Sequence, residues 1–366
     1  MQNETYEIMH LNRKVARIDQ GGHCKIYYKS FMPYNLCFEE QDDINTLADN
    51  ITNFYSWCAA RLFPSNRKYA KEILNSAGMT QVATNRERAE TALTYHCASL
   101  TDVFWVRCIG EKALFCDVNL YDNYLEQSCV DIALKGRRRN ACGGYLARDF
   151  ATGGHFPKAW QRKNGAFRLL KGGGEDVVER ELLASRICRC FNVSQVLYEE
   201  DFLDGEKVVV SDNMTSKEYS IATLKAFEIC SGNHGRDTRQ CILQLDSYNY
   251  YMMNIIDYLV GNTDRHGENW GVFVDNSNNK PICLHKLMDF NRAFDSYGTM
   301  EGADCQTVFG MNMTQKEAAL QAVGEVGLNQ VREVEESLFA YFPQYYGMFV
   351  RRLALLKQEQ RRRKMR

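Results

Sequence analysis

The run Gly261-Asn262-Thr263-Asp264-Arg265-His266-Gly267-Glu268-Asn269 follows a long apolar stretch and leads into a short β-branched one. Asp264 and Asn269 stand five residues apart. Twenty residues further on comes Leu287-Met288-Asp289-Phe290, an acid set between a hydrophobic pair and a phenylalanine. Turns favour Asn, Asp and Gly, but a turn alone does not require a later Asp at an apolar strand end. Phosphoryl transfer requires this set: one carboxylate to orient a hydroxyl, and two oxygen ligands to hold a divalent cation against a polyphosphate. The chain must therefore fold so that a helix-to-loop junction and a strand end meet.

At 366 residues the chain suits two lobes or domains rather than one small core. It is 45% hydrophobic and 25% charged, as in ordinary globular proteins. No apolar run reaches the length of a membrane span, and the polar start Met1-Gln2-Asn3-Glu4-Thr5 lacks the order of a signal peptide. The fourteen cysteines are scattered without metal or redox spacing. Cys188, Cys230, Cys241 and Cys283 lie among apolar neighbours and read as reduced, buried thiols, which fits a cytoplasmic location. A net charge of −1 favours neither nucleic acid nor an acidic membrane as partner. Two local basic runs, Lys135-Gly136-Arg137-Arg138-Arg139 and Arg361-Arg362-Arg363-Lys364-Met365-Arg366, read as a solvated loop and a frayed helix end, or else as a docking surface for an acidic substrate or a phosphate.

With five prolines and no repeats, the chain shows no linker by composition. Positions 25–28 and 103–106 read as strands, and 44–62 as an amphipathic helix. A polar stretch covers 65–88, and 140–144 is the candidate seam. Beyond it, a strand ends at Lys171, Gly172-Gly173-Gly174 turns the chain, and 176–191 reads as a helix. Residues 196–198 and 207–210 are strand-like, 220–230 is a helix candidate, and 243–260 is a buried helix feeding the Asp264 loop. Strands at 270–274 and 283–288 flank an Asn-rich turn, and helices occupy the chain from Thr314. Strands first and helices later is an α+β order.

Several side chains fit a nucleotide site. Lys171, at a strand end with a helix behind it, can reach the α- and β-phosphates of ATP, although by itself it would read as a surface lysine. A carboxylate on the following helix would steady it: Glu181 is the first choice, because it leads the small apolar run Leu182-Leu183-Ala184, and Glu179 is the alternative. Gly153 and Gly154, about seventeen residues before Lys171, would let backbone amides approach phosphate oxygens. Asp212 and Met214 follow the 207–210 strand, where an inter-lobe hinge would read adenine through its backbone. Asp264 would take or orient the acceptor proton, and Asn269 and Asp289 would bind magnesium. His266 would brace the loop or stabilise the transferred phosphoryl group.

The 261–269 run, with His after the catalytic Asp, resembles the catalytic loop of HipA-like kinases, an order shared by phosphoinositide-kinase-like enzymes and reversed in eukaryotic protein kinases. Leu169-Leu170-Lys171, the helix carrying Glu181 and Leu287-Met288-Asp289-Phe290 also resemble that pattern. Asn291 stands where protein kinases have the Gly of Asp-Phe-Gly, so no switch built on glycine flexibility is implied. The resemblance covers roughly residues 150 to 350. It implies a two-lobed protein-kinase-like fold with a small, mainly β N-lobe over 146–212 and a larger helical C-lobe over 213–366. It also implies ATP and Mg2+ as cofactors and a protein Ser/Thr hydroxyl as acceptor. Residues 1–145 form an additional α/β region that would extend the N-lobe or recognise substrate. Two other functions share these residues: a kinase-fold enzyme with another acceptor or with AMP transfer, and a nucleotide-binding pseudokinase scaffold.

Overall fold

Near the N-terminus, strand β1 (Thr5–His10), buried from Tyr6 onward, and strand β2 (Arg13–Asp19) are joined by a tight turn in which Leu11 takes φ of 51°. With β3 (Cys24–Ile26) and β4 (Phe104–Cys108) they form an antiparallel sheet in the order β3-β2-β1-β4. Helix α1 (Ile44–Ala60) starts where the Asp43 side chain accepts from the amides of Asn45 and Thr46, and it packs against α2 (Asn85–Leu93). The short helix α3 (Phe115–Val118) follows β4. Strands β5 (Lys158–Lys163) and β6 (Ala166–Lys171) pair through a two-residue turn, Asn164-Gly165, with both φ values positive at 53° and 82°. Asn-Gly tolerates that conformation better than other pairs, which makes this hairpin legible in the sequence.

The computed structural model describes residues 4–62, 84–122, 156–203, 205–295 and 297–365. The 140–144 seam, the 135–139 basic run, Gly153, Gly154, most of 65–88 and the final Arg366 lie outside the described residues. The chain divides into two units: Met1–Gly172 with Thr215–Ala222 and Val274–Lys280, and Gly173–Met214 with Thr223–Phe273 and Pro281–Arg366.

In the first unit, Met9, Leu100, Val103, Trp105, Phe115 and Leu120 share one core with Trp160 of β5, and Phe167 and Leu169 of β6 pack against it. The hairpin that ends at Lys171 thus rests on the N-terminal sheet through common apolar burial, the dominant stabilising term in such a core. The returning turn is tied in by Asn279, whose side-chain nitrogen donates to the carbonyls of Ser30 and Met32, each at 3.0 Å.

The second unit is mostly helical. It holds α4 (Glu175–Cys188), the hairpin of β7 (Glu199–Leu203) and β8 (Glu206–Asp212), α5 (Leu224–Asn233), α6 (Thr238–Val260), α7 (Gln315–Val326) and α8 (Pro343–Lys364). The end of α6 is its centre: every residue of Met252–Val260 is buried. A kink at Asp246 (φ −160°, ψ 70°) divides α6, and the Asp246 carboxylate restarts it by accepting from the Asn249 amide.

Four expectations shift. Residues 220–223 belong to strand β9 (Tyr219–Thr223), and the helix begins only at Leu224, where the Thr223 hydroxyl accepts from the Ala226 amide. Strand β10 (Gly271–Asp275) lies as expected, whereas β11 (Lys280–Leu284) ends before Leu287. Residues 196–198 form no strand; instead Gln195 and Leu287 make an isolated parallel bridge, with the Leu287 amide donating to the Ser194 carbonyl at 2.8 Å. Two apolar stretches that each read as a strand therefore satisfy one another over a single bridge. Finally, Cys188 is buried, but Cys230, Cys241 and Cys283 are only half-buried.

Candidate active site

Helix α6 delivers its last turn into Gly261, which adopts φ of 59° and closes the helix. A Cβ at this position would lie 2.6 Å from the Tyr297 ring, so both the left-handed backbone and the close approach call for glycine. The fully buried Arg352 secures the same helix end. It donates to the Tyr258 carbonyl at 2.5 Å and the Thr299 carbonyl at 2.7 Å, placing a cation at the negative end of the helix dipole.

The loop that follows is organised around Arg265, which is buried. Its guanidinium makes a two-pronged bond to Asp257 of α6, Nε to Oδ2 at 2.9 Å and Nη2 to Oδ1 at 3.0 Å. Nη1 donates to the Asn269 carbonyl at 3.0 Å and also to the Met288 carbonyl, and the guanidinium lies 5.4 Å from the Phe290 ring centre. One side chain thus joins the helix, the Asp264 loop and the segment leading to Asp289. Burial opposes its charge, but the Asp257 carboxylate, with Asp289 adding, raises the guanidinium above its ordinary range. Asn262 completes the brace by donating to Asp257 Oδ1 at 3.1 Å.

Within the loop, Asn269 Nδ2 donates to the Asp264 carbonyl at 2.7 Å. Committing the amide nitrogen leaves Oδ1 as the atom of Asn269 that could face a cation. His266 Nδ1 accepts from the Glu268 amide at 3.2 Å, and its Nε2 sits 3.7 Å from Asp264 Oδ1. With Nδ1 accepting, the neutral imidazole carries its proton on Nε2, facing the carboxylate. Further contacts fix the loop from outside. The Leu224 and Lys225 amides at the start of α5 donate to the carbonyls of Trp270 (2.7 Å) and Gly267 (2.9 Å). These are helix N-terminal donors with no intrahelical acceptor. Gln306 donates to the Thr263 carbonyl at 3.0 Å, and Gln315 to the Asn262 carbonyl at 2.5 Å.

Asp289 is buried and takes φ of 60°, a conformation that Asp tolerates better than most residues. Its amide donates to the Tyr198 hydroxyl at 3.1 Å, and the next amide, of Phe290, donates to Glu181 Oε1 at 3.4 Å. The two helical glutamates divide cleanly: Glu179 pairs with Lys207 of β8 at 2.5 Å, while Glu181 faces the Asp-Phe segment. The side-chain oxygen of Asn291, two residues on, is buried without a hydrogen-bond donor.

The structure therefore brings Asp264, His266 and Asn269 together, Arg265 joins the segment leading to Asp289 to them, and Glu181 ties that segment to α4. Lys171 ends β6, buried in the first unit. Asp212 is exposed at the end of β8, and Met214 is the last residue before the chain passes to the first unit. Sequence reasoning missed Asp257, Gln306 and Gln315. The signal for Asp257 was present: it is the one acid in the apolar end of α6, and a buried acid needs a partner.

A divalent cation suits this donor set. Among the described residues no three His, Cys, Asp or Glu side chains converge. The oxygens on offer are two carboxylates, Asp264 and Asp289, and the amide oxygen of Asn269. Magnesium favours such a sparse, hard set because it keeps water or phosphate oxygens in its remaining positions.

No family model matches the sequence, and no curated protein matches it. Among solved structures, the chain is similar to the HipA of a Shewanella oneidensis MR-1 toxin–antitoxin complex of HipA, HipB and operator DNA. The identity is 13%, the TM-score 0.56, and the match covers 97% of this chain and 99% of that one. It is also similar to the Helicobacter pylori proinflammatory kinase CtkA at 12% identity and a TM-score of 0.43, over 57% of this chain and 94% of that one. The HipA likeness, taken with the two units and the loop architecture, gives this chain the two-lobed, α+β, kinase-like fold of HipA.

Proposed function

We propose that the protein transfers the γ-phosphoryl group of ATP, with magnesium, to a Ser or Thr hydroxyl of a protein, itself included. The observation that carries this reading is the triple hold of Arg265 on α6, the Asn269 carbonyl and the Met288 carbonyl, which fixes the two proposed metal-binding segments to each other. In this reading Asp264 orients the acceptor hydroxyl and receives its proton on a carboxylate oxygen as the new oxygen–phosphorus bond forms and ADP leaves. Asn269 and Asp289 hold magnesium, which when bound screens the charge of the triphosphate. His266 braces Asp264, and Lys171 contacts the phosphates. Asp212 and Met214 lie where the chain crosses between units, as a backbone that reads adenine would. Gly153 and Gly154 lie outside the described residues, and their role beside the phosphates is proposed from the sequence alone.

Met9, Leu100, Val103, Trp105, Phe115 and Leu120 share a core with the Lys171 hairpin, which supports an N-lobe extension within the proposed 1–145, 146–212 and 213–366 division. A reducing, cytoplasmic setting is proposed on the free cysteines among the described residues. No described helix is long and apolar enough to cross a membrane.

Intact-mass analysis of the protein with ATP and magnesium, beside Asp264→Asn, tests the reading. Additions in steps of one phosphate, absent from the variant, support it. An AMP-sized addition redirects it to adenylylation. Nucleotide binding without any addition, even when protein substrates are offered, points to a scaffold.

A further inference from the structure

The turn after Asp289 is clamped to helix α4 at both of its ends. At the near end, Glu181 Oε1 accepts from the Phe290 amide at 3.4 Å. At the far end, Asp295 pairs with Arg180, the residue before Glu181. Between them the Ala293 amide closes the turn on the Phe290 carbonyl at 2.9 Å. Asp295 also takes Arg292 Nε at 2.8 Å, so two guanidiniums converge on one carboxylate. The Arg180 and Asp295 side chains keep 22% and 26% of their surface exposed and that of Arg292 54%, on a backbone that is itself at the surface at Asp295. The rest of α4 is held to other elements: Glu179 to Lys207, and Asp176 Oδ1 to the Tyr341 hydroxyl at 3.2 Å. Arg180 and Glu181 are thus the adjacent pair that ties the helix to the Asp289 segment.

Two arginines around a single anion are the arrangement by which a phosphorylated residue orders a loop. Here the anion is genetically encoded. We propose that Asp295 is a positioning residue, a permanent stand-in for a phosphate. By holding Arg180 and Arg292 it keeps α4 and the Asp289 segment in their working relation without modification of that segment. The inference rests on the phosphoryl-transfer reading above, because the working relation is that of Glu181 to Asp289. It acts through position alone: Asp295 touches neither nucleotide nor acceptor in this account.

The test compares wild type with Asp295→Asn, Asp295→Glu, Arg180→Gln and the Arg180→Gln/Asp295→Asn double variant. It reads the transfer rate, KM for ATP and amide hydrogen exchange over 176–181 and 289–295. Asp295→Asn is expected to lower kcat on the order of tenfold, the usual scale for losing an outer-shell partner, with KM for ATP nearly unchanged. Exchange should rise in both segments together, Asp295→Glu should recover most of the rate, and the double variant should be no worse than either single one. A folded Asp295→Asn protein with wild-type rate and exchange would overturn the proposal. So would a double variant whose losses multiply. Should wild type transfer nothing, the phosphoryl-transfer reading fails by itself, and the exchange arm still decides the clamp: a coupled rise in both segments retains it, and an unchanged pattern removes it.

Discussion

Arg265 and Asp257 show how much one buried pair decides. A doubly bonded guanidinium and carboxylate, both almost wholly out of water, tolerate the loss of neither partner, because the survivor is left charged and alone. Asp257→Asn is therefore expected to destabilise the fold by about 3–5 kcal/mol, read as a shift of the urea midpoint, and to loosen the Asp264 loop. The two glutamates of α4 make a sharper comparison. Glu181→Gln should lower phosphoryl transfer, since its carboxylate faces the Phe290 amide. Glu179→Gln should leave transfer near wild type, since Glu179 serves Lys207. Comparable losses in both, measured as initial rates, would contradict the assignment.

At the scale of elements, the helix ends matter more than the helix middles. α6 must stop at Gly261 for the loop to begin, and alanine there would carry both a strained φ and a clash with Tyr297. Gly261→Ala should cost more than about 1 kcal/mol, seen in the melting temperature. Helix α7 opens with a reciprocal capping box between Thr314 and Glu317, and Thr314→Ala should cost about 1 kcal/mol. The caps explain where the sequence reading held and where it slipped. Residues 44–60 carry their own start signal in Asp43. The 220–230 stretch has its cap in its middle, at Thr223, so a single helix was expected where a strand hands over to a helix.

For the whole molecule, two core histidines add to the loss of stability in acid. His10 lies edge-on to Phe31 and Phe104 at 5.2 and 5.0 Å, and His285 Nδ1 donates to the Lys286 carbonyl at 2.9 Å. Burial pushes both down from the usual 6.5 to about 4. Between those values the unfolded chain binds protons that the folded chain refuses. The stability they leave intact above pH 6.5 is thus lost as pH falls through 6.5 toward 4, by up to about 3 kcal/mol for each. Urea midpoints from pH 7 to 4 should fall less steeply in His10→Phe than in wild type; parallel slopes would exclude His10 as a contributor. The first unit adds a second property of the whole chain: removing the N-terminal sheet would expose Trp160, Phe167 and Leu169, so the Lys171 hairpin is not expected to stand without it.

By itself the sequence determined the residue types and spacing of the Asp264 loop, the Asp289 segment and the helices with strong caps, because periodicity, turn chemistry and capping act over a few neighbouring residues. It also placed Lys171 at a strand end, because Gly172-Gly173-Gly174 turns the chain directly after it. Only the tertiary structure decided which glutamate of α4 turns to the Asp289 segment, that Arg265 is the brace of the loop, and that Gln306 and Gln315 hold it from a segment more than forty residues away. Those choices are made between groups far apart in the chain. A buried charge or carbonyl takes whichever partner the packing presents, and no local pattern records which one that is.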